Sequence, residues 1–139
     1  MNELIKKINV LPTELVSLIK EYIPQKNLVF VDRTNYSLYH HLLKRYIPKY
    51  ENYIRDMIRR DNYFVFENIV RENYKKWFEI KSYIYKNMVF KNYIYFINNY
   101  CIENQSPKCR FFINNFLKEL GLCKNLHKKN IVKYIRWKK

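Results

Sequence analysis

By residue type, the side chains best suited to metal or redox chemistry are Cys101, Cys109, Cys123 and His127, and their spacing argues against both uses. A structural zinc site needs four ligands, usually as two close pairs, and a disulfide framework needs an even number of cysteines. Three cysteines separated by 8 and 14 residues, with one histidine four beyond the last, supply neither pattern. They are expected to be buried thiols, with no metal and no cofactor. His40 and His41 abut Leu42 and read as one residue at the edge of a core and one on its surface. Asp56 and Asp61 stand beside Arg55, Arg59 and Arg60, which suits local charge pairing. No pair of carboxylates and no nucleophile with a neighbouring base is recognisable, and a single glycine leaves no phosphate-cradling loop. The chain is expected not to be an enzyme.

Charge offers a different chemistry. The formal net charge is +15, and Lys124, Lys128, Lys129, Lys133, Arg136, Lys138 and Lys139 follow one another with no acid among them. Tyr134 and Trp137 interleave these cations, a pattern that could stack bases while the lysines meet phosphates. Those lysines and arginine together with Trp137 form the candidate nucleic-acid-binding set. A second basic cluster comprises Arg55, Arg59 and Arg60, with Lys75 and Lys76 beyond. No zinc finger or glycine-rich RNA signature accompanies the charge, so a solvated face with aromatic anchors is the simpler reading. Alanine is absent while Asn, Ile, Lys and Tyr abound, the residues that AT-rich codons encode, so part of the charge is compositional.

The elements that must position these residues read as short helices. Pro12 and Pro24 bracket an apolar segment in which Leu15, Leu18, Ile19, Tyr22 and Ile23 recur at three- and four-residue spacing. A second sizeable helix is predicted over 35–47, capped by Thr34 or Asn35, with Leu38, Leu42, Leu43 and Tyr46 inward and Pro48 as its stop. Helices near Glu51–Arg59 and Tyr63–Asn73 come next, the latter with Phe66, Ile69 and Val70 inward and Asp61 or Asn62 supplying break and cap. From Trp77 to Asn104 the pattern is mixed. Tyr83, Tyr85, Tyr93 and Tyr95 alternate as in a strand, whereas Phe90, Ile94, Ile97 and Cys101 keep helical spacing. Helix is the expectation there, because no Asn-Gly or other glycine turn is present to close a hairpin. Ser106-Pro107 marks a helix start and Gly121 its left-handed stop, with Phe111, Phe112, Phe116 and Leu117 along it. A short terminal helix is expected over Lys128–Trp137.

Asn62–Asn68 matches Asn92–Asn98 at an offset of 30, and Glu72-Asn73 recurs as Glu103-Asn104 at 31. A period near 30 suits stacked helical hairpins of a degenerate ankyrin-like kind. The fold class expected is therefore all-α: a helical module over 1–48 and a basic helical-hairpin region over 49–139, forming one compact unit together. At 139 residues the chain has the length of one typical domain. No apolar run reaches the ~18 residues that cross a bilayer, and the opening does not read as a secretory leader, so an intracellular protein is expected.

Residues 9–47 resemble an F-box. The family's LPxEL opening is matched by Leu11, Pro12, Glu14 and Leu15, and its first helix by Ile19, Tyr22, Ile23 and Pro24. Its turn corresponds to Asn27-Leu28, and its last helix to Val31, Arg33, Tyr36, Leu38 and Tyr39. The family's tryptophan-bearing position holds Tyr36 or Tyr39 here. The composition is similar in style to F-box-like proteins of large nucleocytoplasmic DNA viruses. The resemblance implies a three-helix module that docks a protein partner, a ubiquitin-ligase adaptor, through Leu11, Pro12, Leu15, Ile19, Ile23 and Leu28. For a viral protein it implies the host cytoplasm or nucleus, or a place in the virion. Nucleic-acid binding through the basic tail and a structural helical role in a virion are the alternatives.

Overall fold

The computed structural model describes residues 2–8, 10–122 and 131–135. It divides the chain into two compact units, Met1–Pro48 and Lys49–Lys139.

The first unit is built of short helices: α1 (Asn2–Ile8), α2 (Thr13–Glu21), α3 (Gln25–Leu28), α4 (Arg33–Tyr39) and α5 (Leu43–Tyr46). Pro12 and Pro24 stand immediately before α2 and α3, where a missing N–H costs no helical bond. The helix expected over 35–47 is divided. Asp32, not Thr34 or Asn35, caps α4, its carboxylate accepting the Asn35 backbone N–H at 2.7 Å. A 3-10 turn at His40–Leu42 then separates α4 from α5. Val29, Tyr36 and Leu43 are buried, whereas Leu38 and Tyr46, expected inward, are exposed.

The second unit contains α6 (Tyr50–Arg59), α7 (Tyr63–Glu79), β1 (Lys81–Tyr85), β2 (Met88–Asn92), α8 (Tyr93–Glu103), α9 (Pro107–Glu119) and β3 (Ile131–Tyr134). The expectation of an all-α fold is overturned by this sheet. Its order is β1-β2-β3 with both pairings antiparallel, and Tyr83 lies opposite Phe90 and Tyr85 opposite Met88. Lys86-Asn87 closes the hairpin without glycine, because Lys86 itself adopts a left-handed φ of 53°. A non-glycine residue there costs roughly 1–2 kcal/mol. The aromatic face of the hairpin offsets that cost. Tyr83 meets Tyr93 and Phe96 with ring centroids 4.7 and 4.8 Å apart, and Tyr85 meets Phe96 and Tyr100 at 4.8 and 5.9 Å. Such pairs are worth about 0.5–1.5 kcal/mol each beyond area burial. The alternation of Tyr83 and Tyr85 therefore belongs to a strand, laid on the Tyr93, Phe96 and Tyr100 stripe of α8.

The stacked ankyrin-like helix pairs are overturned on the same ground. Both halves of the matched sequence do begin helices in the same way, with Asn62 accepting from the Val65 N–H at 3.3 Å and Asn92 from the Tyr95 N–H at 3.0 Å. Beyond those helices the two halves diverge, since α7 runs into a hairpin and α8 into another helix. The terminal helix is also corrected: Ile131–Tyr134 is a strand, with Lys133 opposite Val89.

Three helices of this unit end alike. Asp61, Gln105 and Gly121 sit just past α6, α8 and α9 with φ of 48°, 53° and 70°. In each case the next residue's N–H reaches back to the helix: Asn62 to Met57 O at 2.9 Å, Ser106 to Cys101 O at 3.0 Å, and Leu122 to Leu117 O at 2.9 Å. This is the Schellman closure, which satisfies carbonyls that a helix end would otherwise leave unpaired. Around these helices the core gathers Ile54, Ile58, Phe66, Ile69, Val70, Phe90, Phe96, Ile97 and Ile113, all 2% exposed or less.

Candidate docking surface on the N-terminal unit

Helix α2 is amphipathic in sequence, yet none of its residues is buried. Its apolar residues fall into two stripes. Val16, Ile19 and, just past the helix, Ile23 are half-buried. Leu15, Leu18 and Tyr22, likewise three and four apart, are exposed by 48%, 54% and 82%, and Leu11 before the helix by 39%. An ion pair holds the helix on its half-buried side: Lys20 Nζ lies 3.5 Å from Asp32 Oδ2, four residues on from Val16. Partial burial of Asp32 works against its charged form. The bonds it accepts from the Asn35 backbone and side chain, both 2.7 Å, and the nearby Lys20 prevail and hold its pKa below the ordinary value. The same carboxylate thus caps α4 and pairs with Lys20 of α2, while the Leu15, Leu18 and Tyr22 stripe faces outward.

Of the residues singled out from the sequence, Leu11, Pro12 and Leu15 are exposed, while Ile19, Ile23 and Leu28 are half-buried. Leu18 and Tyr22 complete the exposed stripe and were absent from that set. Apolar periodicity placed both on one face with Leu15, Ile19 and Ile23, and periodicity alone does not say which of two adjacent stripes a domain covers. Val10 and Phe30 are exposed as well. Contiguous exposed apolar patches, where they occur on a soluble protein, mark sites of interaction.

The other candidates resolve differently. Lys124, Lys128, Lys129, Arg136, Trp137, Lys138 and Lys139 lie outside the described residues, as do Cys123 and His127. Lys133 is placed only through the backbone pairing of β3. In the second basic cluster the cations have carboxylate partners: Arg60 lies 2.8 Å from Asp56, Arg59 3.5 Å from the same group, and Arg55 3.8 Å from Glu51. Asp61 serves instead as a helix cap, accepting the backbone N–H groups of Lys108 and Cys109. Cys101 and Cys109 are fully buried. Burial pushes the Cys101 thiol up to about 12, and burial together with Asp61 raises Cys109 too, so both thiols are held protonated and unreactive. His40 is half-buried and stacks on Tyr36 at 5.9 Å, and His41 is exposed.

Among the described residues no cluster of three His, Cys, Asp or Glu side chains could hold a metal ion, and no helix is long and apolar enough to cross a membrane. No family model matches the chain, no curated protein matches it, and no solved structure matches it. The F-box likeness rests on the residues of this chain alone.

Proposed function

We propose that the N-terminal unit is an F-box-like protein-docking module and that Leu11, Leu15, Leu18 and Tyr22 are its contact stripe. The observation that carries this reading is that no residue of α2 is fully buried and that its Leu15 and Leu18 are about half exposed. A nine-residue helix is marginal by itself, so one anchored by Lys20 and Asp32 with a leucine stripe left outward is suited to finishing its burial on another protein. Helix-face recognition takes this form, with anchors at three- and four-residue spacing entering a groove. The partner the F-box likeness implies is a ubiquitin-ligase adaptor, which would place the protein inside a cell, in the host cytoplasm or nucleus if it is viral.

Calorimetric titration of the purified adaptor tests the reading. Binding is expected with the natural chain and is expected to disappear in a Leu15→Glu, Leu18→Glu variant. Both residues are exposed, so the variant should keep its stability to within about 0.5 kcal/mol per site. No heat of binding from the natural chain would dismiss the F-box reading. Unchanged affinity in the variant would move the contact elsewhere.

A further inference from the structure

The second unit carries a cleft that the docking stripe does not involve. Two adjoining hollows, about 300 and about 370 Å3, share Phe78 at the end of α7 with Lys91 and Asn92 at the end of β2. Tyr95 of α8 lines the first and Lys81 of β1 the second. Lys81 pairs in register with Asn92, so the hairpin itself brings Lys81 and Lys91 to one end of the sheet. Among the described residues, no acidic one lines either hollow.

The charge here is arranged unlike that of the arginines along α6 and α7. Arg55, Arg59, Arg60 and Arg71 each have a carboxylate within ion-pair distance. Lys81 and Lys91 have no such partner among the described residues. They are exposed cations beside half-buried Phe78 and Tyr95. Cations flanking aromatic surface in a concave setting match a ligand that offers flat rings and negative charge at short, regular intervals.

We propose that this cleft binds single-stranded nucleic acid, with phosphates at Lys81 and Lys91 and a base against Phe78 and Tyr95. A duplex keeps its bases stacked inside a convex cylinder and can offer the lysines only phosphates. A single strand can turn a base into the hollow while its backbone follows the cations. None of the docking-stripe residues lines the cleft.

Fluorescence anisotropy with a short labelled oligonucleotide, single-stranded and as a duplex, tests it on the full chain at about 0.15 M salt, where weak non-specific attraction is largely screened. The single strand is expected to bind more tightly than the duplex. Lys81→Glu with Lys91→Glu should weaken it at least tenfold and flatten the dependence of log affinity on log salt by about 1.4, from two lost contacts at about 0.7 each. Phe78→Leu keeps apolar bulk in place and should weaken binding severalfold with the salt slope unchanged. Circular dichroism checks that the variants stay folded. Neutralising Lys124, Lys128 and Lys129 to Gln should leave the preference for single strands intact. Equal affinity for duplex, no binding by the natural chain at this salt, or loss only in the tail variant would each overturn the assignment. So would a mononucleotide that binds as tightly as the strand.

Discussion

Asp61 Oδ1 accepts the backbone N–H of Cys109 at 2.9 Å, across 48 residues of chain, and its other oxygen accepts from Lys108 at 3.2 Å. Asp61 lies in the corner between α6 and α7, whereas Lys108 and Cys109 are in the first turn of α9. The cap that Ser106 was expected to give α9 therefore comes from another corner of the unit. Ser106 answers in the opposite direction, its Oγ donating to Ile58 O near the end of α6 at 2.6 Å. Two helix corners are clamped by three bonds running in opposite directions, and the two that Asp61 accepts satisfy N–H groups in the first turn of α9 that the helix itself leaves free.

Asp61→Ala should accordingly destabilise the protein by about 2 kcal/mol, combining loss of the cap with a left-handed φ of 48° that alanine tolerates poorly. Asp61→Gly removes the cap but accepts the backbone, and Asp61→Asn keeps an acceptor and tolerates the conformation, so the losses should rank Asn, Gly, Ala. Ser106→Ala should cost about 1 kcal/mol. Because the two side chains serve one corner pair, the double variant should depart from additivity by more than about 0.5 kcal/mol. Urea unfolding of the four single variants and the double variant measures all of this, and an Ala variant within about 0.5 kcal/mol of the natural chain would contradict it.

Backbone strain gives a prediction with opposite signs at two turns. Lys86→Gly should raise stability by up to about 1 kcal/mol, since glycine holds a φ of 53° without the Cβ penalty. Gly121→Ala should lower it by a similar ~1 kcal/mol. Among the described residues other than its chain neighbours, no atom lies within 4 Å of where a Cβ would stand at Gly121, so the loss there would report conformation and not a clash. Thermal unfolding of the two variants decides it. A destabilised Lys86→Gly would mean that the lysine side chain over the Tyr85 ring, 5.5 Å from its centroid, outweighs the turn strain.

Alkaline titration should separate the tyrosines. Burial, with Glu51 adding to it, raises Tyr83 from 10.0 to about 12, and burial raises Tyr50 and Tyr93 as well. A pKa higher in the folded chain means that folding favours the neutral phenol. That contribution is complete below pH 10, where both states hold the proton, and is lost as pH rises from about 10 toward 12 and the unfolded chain alone ionises. Tyrosinate absorbance should show a late-ionising group in the native protein that merges with the rest in denaturant. Glu51→Gln should lower the Tyr83 transition, because the Glu51 carboxylate lies 3.3 Å from its hydroxyl. A single transition near pH 10 in the native protein would contradict this.

Acid should act at a different place. Asp32 has a folded pKa below its ordinary 3.8, so its bonds to Asn35 and Lys20 contribute fully above that value and are lost as pH falls through the lower folded one. Asp32→Asn keeps a capping oxygen but gives up the ion pair. Its unfolding should respond less steeply to pH in that acid range than the natural chain, as followed by circular dichroism; an identical acid limb would assign the sensitivity to other carboxylates.

What the sequence by itself determined is what neighbouring residues settle among themselves. Asn62 before α7, Pro107 at the start of α9 and the left-handed Gly121 after it act within one helical turn, and the inward set Phe66, Ile69 and Val70 comes from helical period alone. Cys101 and Cys109 are buried, as their isolation from any ligand pattern indicated. Tertiary structure decided the rest. Tyr83 and Tyr85 are a strand because α8 supplies Tyr93, Phe96 and Tyr100 to pack on, a gain large enough to hold Lys86 in a conformation no local turn rule assigns to it. Asp61 caps α9 because folding brings together corners 48 residues apart. The same holds for α2, where Leu15 and Ile19 share one sequence pattern and only the folded unit shows that Ile19 is half-buried and Leu15 exposed. Local bonds fix where helices begin and end, whereas burial is a property of surfaces that meet only after the chain has folded.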